Sequence, residues 1–338
     1  MIQPDEPIPY ARHEITTADE AAVLGVLRSK WLTQGPKVEK FESALASLCD
    51  AKYAICTNSG ASALYATWRS VGTDELVTTP ITFAATINAS GVANQIRFID
   101  VEPDTGRWAS WYPAGTTHSV SVPVTLGGIP FDGRMNAIPG RTVIDATHSL
   151  GAVYPGQTLA ACFSFHPAKH ICAGEGGAVV TNHLMLAEAV RTLVNHGRSG
   201  TTRLIPWGMN LRMDEMSAAL GLSQLGRLPQ NIERRQSIAA YYDAVLRGAA
   251  GVRVVRQPAE SVYHLYQILV APERRDAIQA VLREANVGTA IHYPALVPLP
   301  NALTFAASTL SIPMFPNLTD GEVEYVADTV KRVVEECQ

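Results

Sequence analysis

A chain of 338 residues, 47% hydrophobic, is long enough for more than one core, since single cores stop growing at roughly 250–300 residues. Its 31 acidic and 27 basic side chains give a formal charge of -4, and no Lys/Arg run supplies the field that a nucleic acid requires. The five cysteines (Cys49, Cys56, Cys162, Cys172, Cys337) follow neither zinc nor disulfide spacing and suit a reducing cytoplasm; the Pro-containing start MIQPDEPIPY is no secretory signal, and no apolar run approaches the roughly 20 residues of a membrane helix.

Short β-branched or apolar runs recur at 53–56, 76–78, 96–99, 120–124, 142–144, 162–165 and 178–181, with helix-like stretches at 61–70 and 84–93 between them. That alternation predicts an α/β domain with a largely parallel sheet, in which ligands bind at the carboxyl ends of the strands. Residues 213–227 and 231–246 carry apolar side chains at helical spacing. Beyond about 247 the pattern restarts, with strands at 252–255 and 265–270 and helices at 273–285 and 320–336. This predicts a large domain over 1–230 and, over 231–338, a linking helix and a smaller α+β domain. The stretch 296–301 reads as an ordered loop.

Three local patterns bear on chemistry. TNSGASAL (57–64) follows a strand and opens a helix, where free backbone N–H groups and the helix dipole make an anion site fit for a phosphate; it also reads as a plain Ser-capped turn. TVIDATH (142–148) ends an apolar strand in Asp145, whose carboxylate needs a cation or donors, such as a protonated pyridine nitrogen; it also reads as a helix cap. CFSFHPAKH (162–170), followed by AGEGG, sets Lys169 just past a strand, where burial and nearby cations lower an amine pKa and favour Schiff-base formation. A lysine is ordinarily a solvated surface charge. What distinguishes Lys169 is the order: phosphate cup, strand-end Asp, then lysine after a later strand.

SFHPAKHICAGEGG, VIDATHSLGA, TNSGASAL, ITFAATINA and GMNLRMDEMSAALGLSQL, with WLTQGPKVEKFESALA before them, resemble the successive motifs of the DegT/DnrJ/StrS-type nucleotide-sugar aminotransferases. The likeness continues through HLYQILV and HYPALVPLP and so covers nearly the whole chain. It implies fold type I of the PLP-dependent transferases: an α/β large domain with a mostly parallel seven-stranded sheet, a smaller C-terminal α+β domain, and a homodimer with active sites at the interface. The implied cofactor is pyridoxal 5'-phosphate. Carried over position by position, Lys169 matches the catalytic lysine that holds PLP as a Schiff base and Asp145 the partner of the pyridine nitrogen. His148 falls near the cofactor's phenolic oxygen, and Phe83 where an aromatic ring stacks. Ser164 and the amides around Gly60 and Ala61, with Ser62 beside them, match the phosphate site, which Asn210 reaches from the neighbouring subunit. Alone, Phe83 also reads as core and Asn210 as a turn. Arg198, His292 and Tyr293 are candidates for the sugar or diphosphate of the substrate, with packing or a satisfied histidine as the equal alternative; no metal site is expected.

The implied reaction moves an amino group from glutamate to a keto-sugar nucleotide. The forms SFHPxK and GEGG resemble the branch that aminates C4 of 4-keto-6-deoxy sugars more than the C3 branch with SFYP and GDGG. The alternatives are a sugar dehydratase, whose branch has His in place of the lysine, a non-catalytic regulator of the same fold, and another fold type I activity such as a desulfurase or decarboxylase. Two departures stand out. Ala61 replaces the family's usual Thr in the phosphate cup, and the segment between 104 and 120 is short for the helix the family carries there.

Overall fold

Capping decides where the first helices begin. In the computed structural model, which describes residues 3–89, 95–108, 119–130, 141–152, 158–199 and 203–337, α1 (Thr17–Leu27) opens on a capping box between Thr16 and Asp19. Helix α2 (Pro36–Leu48) has Pro in its first turn and no cap of its own. Buried Glu215, far along the chain, accepts instead from the N–H groups of Gly35, Lys37 and Val38 at 2.9–3.1 Å.

The sheet follows: β1 (Tyr53–Thr57), α3 (Gly60–Val71), β2 (Glu75–Thr78), α4 (Ala84–Asn88), β3 (Gln95–Phe98), β4 (Ser119–Val122), β5 (Arg141–Asp145), β6 (Ala160–Ser164) and β7 (Gly177–Thr181). All seven expected strands are present, in the order β1-β7-β6-β5-β4-β2-β3. Only β7 runs against its neighbours β6 and β1; the other pairs are parallel. Successive strand residues feed two cores on opposite faces. Ala54, Cys56, Ile144, Phe163 and Val180 pack with Phe41 and Leu45 of α2, while Ile55, Val143, Cys162 and Val179 pack with Leu64 and Trp68 of α3. Burial on both faces is why these strands read as continuous apolar runs.

Next come α5 (Leu184–Val194), the ribbon of β8 (Arg198–Ser199) and β9 (Arg203–Leu204), α6 (Glu215–Leu225) and α7 (Leu228–Leu246). Helix α7 serves two cores. Leu228 and Ile232 pack on the large sheet, whereas Ile238, Ala239, Tyr242 and Leu246 join a separate cluster. That cluster is built on β10 (Arg253–Val254), β11 (Tyr266–Leu269), α8 (Arg275–Glu284), β12 (Thr309–Ile312) and α10 (Asp320–Glu336), with β11 central in an antiparallel sheet, while α9 (Pro300–Ser308) packs through Ala302 and Phe305 with Ile81, Val101, Leu126, Val255 and Leu269.

Two expectations are corrected. The stretch 296–301 is not loop throughout, because α9 starts at Pro300, where the carboxylate of Asp100 accepts from the N–H groups of Asn301 and Ala302 at 3.0 and 2.9 Å. The helix expected over 84–93 ends at Asn88, and residues 90–94 lie outside the described residues, as does most of the segment between 104 and 120.

Candidate active site

The site forms at the carboxyl ends of β1, β5 and β6. Ser59 caps α3, its Oγ accepting from Ser62 N–H at 3.1 Å, so the first-turn amides of Gly60 and Ala61 have no partner within the helix. Gly60 lies against the end of β6: a Cβ on it would stand 2.8 Å from Ser164 Cβ. Only glycine therefore lets the α3 N-terminus and the Ser164 hydroxyl face one ligand. Ser62 is used differently from the expectation. Its amide serves the cap, and its hydroxyl donates to Asn58 Oδ1 at 2.6 Å.

Asp145 ends β5 and is 3% exposed. Its Oδ2 accepts from Thr86 Oγ1 at 2.6 Å and its Oδ1 from Thr147 N–H at 3.2 Å, while Thr82 and Thr86 share a further hydroxyl bond at 2.7 Å. Among the described residues it forms no ion pair. A buried carboxylate held by neutral donors is suited to a cationic ring nitrogen. Lys169 sits in the loop after β6, fixed by its N–H donating to His166 O at 2.8 Å. Its amine makes no hydrogen bond or ion pair among the described residues, and burial holds it down to about 8 from an ordinary 10.5, against the pull of Asp145.

His148 follows on the same turn, almost fully buried. Gly127 N–H donates to its Nδ1 at 3.3 Å, and burial, then the Lys169 charge, keep the ring well below its ordinary pKa. The neutral ring therefore carries its proton on Nε2, which donates to Tyr293 Oη at 3.0 Å. Burial, then Asp145, raise the Tyr293 hydroxyl, so it stays protonated. The Tyr293 ring lies 5.9 Å from that of Phe83, which is 60% exposed at the start of α4 and free to stack on a planar ligand. A cup for phosphate, an anion for a ring nitrogen, a free amine and a stacking ring together fit PLP.

The comparisons with known proteins decide the family. The model of the DegT/DnrJ/EryC1/StrS aminotransferase family matches residues 13–331. The chain belongs to this family. A UDP-4-amino-4,6-dideoxy-N-acetyl-beta-L-altrosamine transaminase of Campylobacter jejuni is 30% identical over 370 residues, covering 98% of each chain. Helicobacter pylori PseC, an aminotransferase involved in the biosynthesis of pseudoaminic acid, has a TM-score of 0.88 at 28% identity, over 98% of this chain and 100% of that one. A Streptococcus pneumoniae protein solved in its PLP-form has a TM-score of 0.88 at 26% identity, again over 98% and 100%. The protein is a PLP-dependent aminotransferase of this fold.

In this aminotransferase, the remaining expected residues divide. His292 is buried close to the lysine: its Nδ1 lies 2.9 Å from Ser311 Oγ, its ring 5.3 Å from that of Tyr10, and burial, then Lys169, bring it down to about 4. Arg198 and Asn210 do not join the group around Lys169 within one chain. Asn210 is exposed and bridges to Asn195, while exposed Arg198 lines a cavity of about 590 Å3 with Glu42, Arg191 and Arg212. Sequence reasoning missed Thr82 and Thr86, Gly127 and His264, whose ring lies 4.2 Å from that of His148. The two threonines carried a usable signal, since i and i+4 place them on one side of the turn that leads into α4.

Proposed function

We propose that this aminotransferase moves an amino group from glutamate to C4 of a nucleotide-linked 4-keto-6-deoxy sugar, giving a 4-amino sugar. The observation that carries the substrate class is the end-to-end likeness to a transaminase named for a UDP-linked 4-amino-4,6-dideoxy sugar; the SFHP and GEGG motifs at 164–167 and 174–177 support C4 over C3. The functional unit is a cytoplasmic homodimer in which Asn210 of one subunit reaches the phosphate held by the other. Exposed Trp31, Leu32, Trp207 and Met209 on this chain suit such an interface. The two cores joined by α7 support a division into domains over 1–230 and 231–338, with Ile8 of the N-terminal segment packing into the second core.

The geometry supports a role for each residue. The Gly60 and Ala61 amides and the Ser164 hydroxyl would hold the phosphate, Asp145 would keep the ring nitrogen protonated, Phe83 would stack on the ring, and His148 would turn its Nε2 proton from Tyr293 Oη to the phenolic oxygen. PLP, when bound, supplies the electron sink that makes the donor's α-proton removable. The Lys169 amine would hold the cofactor and, when free, would accept the donor's α-proton and, in the second half-cycle, deliver one to the sugar carbon receiving the amine. His292 and Tyr293 orient the sugar, and Arg198 meets its diphosphate.

Borohydride reduction of the PLP-loaded protein should fix the cofactor on Lys169 by peptide mass, and Lys169→Ala should abolish that label. Glutamate should then release 2-oxoglutarate. A panel of UDP- and dTDP-linked 3-keto and 4-keto sugars, with products read by NMR, tests position. Amination at C3 alone would overturn the C4 assignment.

A further inference from the structure

Beside Lys169 lies a second, much smaller cavity of about 20 Å3. Lys169 and His170 line it from the loop after β6, Arg227 and Arg235 from the start of α7 and its first turns, and Asn317 from the segment between β12 and α10. Four buried side-chain atoms of these residues have no partner: Nε of Arg227, Nε of Arg235, Nδ1 of His170 and Oδ1 of Asn317. His170 is 4% and Arg235 3% exposed, so neither atom is repaid by bulk water.

The committed atoms of His170, Arg227 and Arg235 fix the character of the free ones beside them, and the free Oδ1 of Asn317 is an acceptor. His170 donates from Nε2 to Val262 O at 3.1 Å, and burial, then Arg235, hold the ring at about 3, so its Nδ1 is an acceptor. Arg235 donates through Nη1 to the carbonyls of Tyr263 and Met314 at 3.1 and 2.8 Å. Arg227 pairs through Nη1 and Nη2 with Asp19 at 3.1 and 2.9 Å. These atoms, two N–H donors and two acceptors, belong to residues that line one chamber, whose outer side is formed by exposed Arg12, His13 and Glu14. An anion would meet two lone pairs there, and a metal ion two N–H groups. A water molecule donates twice and accepts twice, and a chamber of at least roughly 10–15 Å3 admits one.

We propose that this chamber is a binding site for a single water molecule, which accepts from Arg227 and Arg235 and donates to His170 and Asn317. The bound water joins the C-terminal core, through Asn317, to the residue that follows the catalytic lysine. His170 is thus a positioning residue: it anchors the loop that presents the Lys169 amine, without touching cofactor or substrate.

A high-resolution crystal structure of the full chain should show a solvent peak within hydrogen-bond distance of all four atoms. A crystal soaked in bromide should show no anomalous peak there. In Asn317→Leu the peak should vanish, and hydrogen exchange at the amides of residues 168–172 should quicken about tenfold, the size of one lost net hydrogen bond. Asn317→Asp retains an acceptor and should retain both the peak and the slow exchange. A site without density, a site taken by bromide, or Asn317→Leu exchange equal to that of the unaltered protein would overturn the proposal. Should Asn317→Leu fail to fold, the two crystallographic arms on the unaltered chain decide alone, and neither depends on the sugar substrate.

Discussion

Thr86 donates its hydroxyl proton to Asp145 Oδ2 at 2.6 Å, across 59 positions of sequence, and is itself tied to Thr82 at 2.7 Å. The carboxylate proposed to face a ring nitrogen is thereby held in one orientation by a neutral group, leaving its charge unspent. Thr86→Val preserves the shape and removes the donor. A buried acceptor stripped of its donor costs about 1–3 kcal/mol, so the urea midpoint of the cofactor-free protein should fall, and kcat should drop by about tenfold or more as the carboxylate loses its alignment. Asp145→Asn should cost far more in kcat and little in fold. Equal kcat for Thr86→Val and the unaltered enzyme would refute the orienting role.

In the proposed phosphate cup Ala61 carries no hydroxyl, and Ser62 is already committed to Asn58 and the cap. Ala61 is exposed at the start of α3, so a larger side chain has room. Ala61→Thr should tighten PLP binding about 3- to 10-fold, the worth of one hydrogen bond to a charged group discounted for exposure. Equilibrium dialysis of PLP against the cofactor-free protein measures it. Unchanged or weaker retention would show that the amides and Ser164 already saturate the phosphate.

The parts of this site that were legible in the sequence are those whose signal is local. Each strand buried on both faces left an apolar run, and the residues at three strand ends, Gly60 just past β1, Asp145 and Ser164, could be read off in order. The reversed direction of β7 was also legible in principle. Twelve residues separate Ser164 from Gly177, the lower limit for a crossover between parallel strands, and Pro167, Gly174 and Gly176 among them leave no run for a crossover helix. The Thr16–Asp19 capping box that starts α1 was equally local and went unread. What no window of sequence shows is the second partner: Thr86 for Asp145, Gly127 for His148, Asp100 for α9 and Glu215 for α2. These pairs exist only after the sheet has closed. The role proposed for Asn210 between subunits leaves no trace in the contacts of one chain.

Four buried histidines, His148, His170, His264 and His292, predict how the protein fails in acid. Burial is the first cause in each case, and it brings His292 to about 4 and His170 to about 3 from an ordinary 6.5. The folded state thus binds protons less readily than the unfolded chain. Stability is complete above about 6.5 and is lost as pH falls toward 4, by roughly 1.4 kcal/mol per pH unit for each such histidine. Urea midpoints of the cofactor-free protein should fall steeply between pH 6.5 and 4, and His292→Gln should flatten that slope. A midpoint independent of pH across this window would contradict the burial argument.

The same environment sets the reactivity of Lys169. Only the free amine attacks a carbonyl, and with burial holding its pKa at about 8, roughly one molecule in ten carries it at pH 7; an ordinary lysine at 10.5 would offer about one in three thousand. The rate at which the cofactor-free protein captures PLP, followed by borohydride trapping on Lys169, should therefore rise tenfold per pH unit up to about 8 and then level. Asp145 pulls the amine the other way, favouring its charged form. Asp145→Asn should accordingly move the midpoint down and speed capture at pH 7, even as it abolishes turnover. A capture rate that climbs without a break to pH 10, or an Asp145→Asn midpoint above that of the unaltered protein, would show that the lysine is not tuned by this pair of effects.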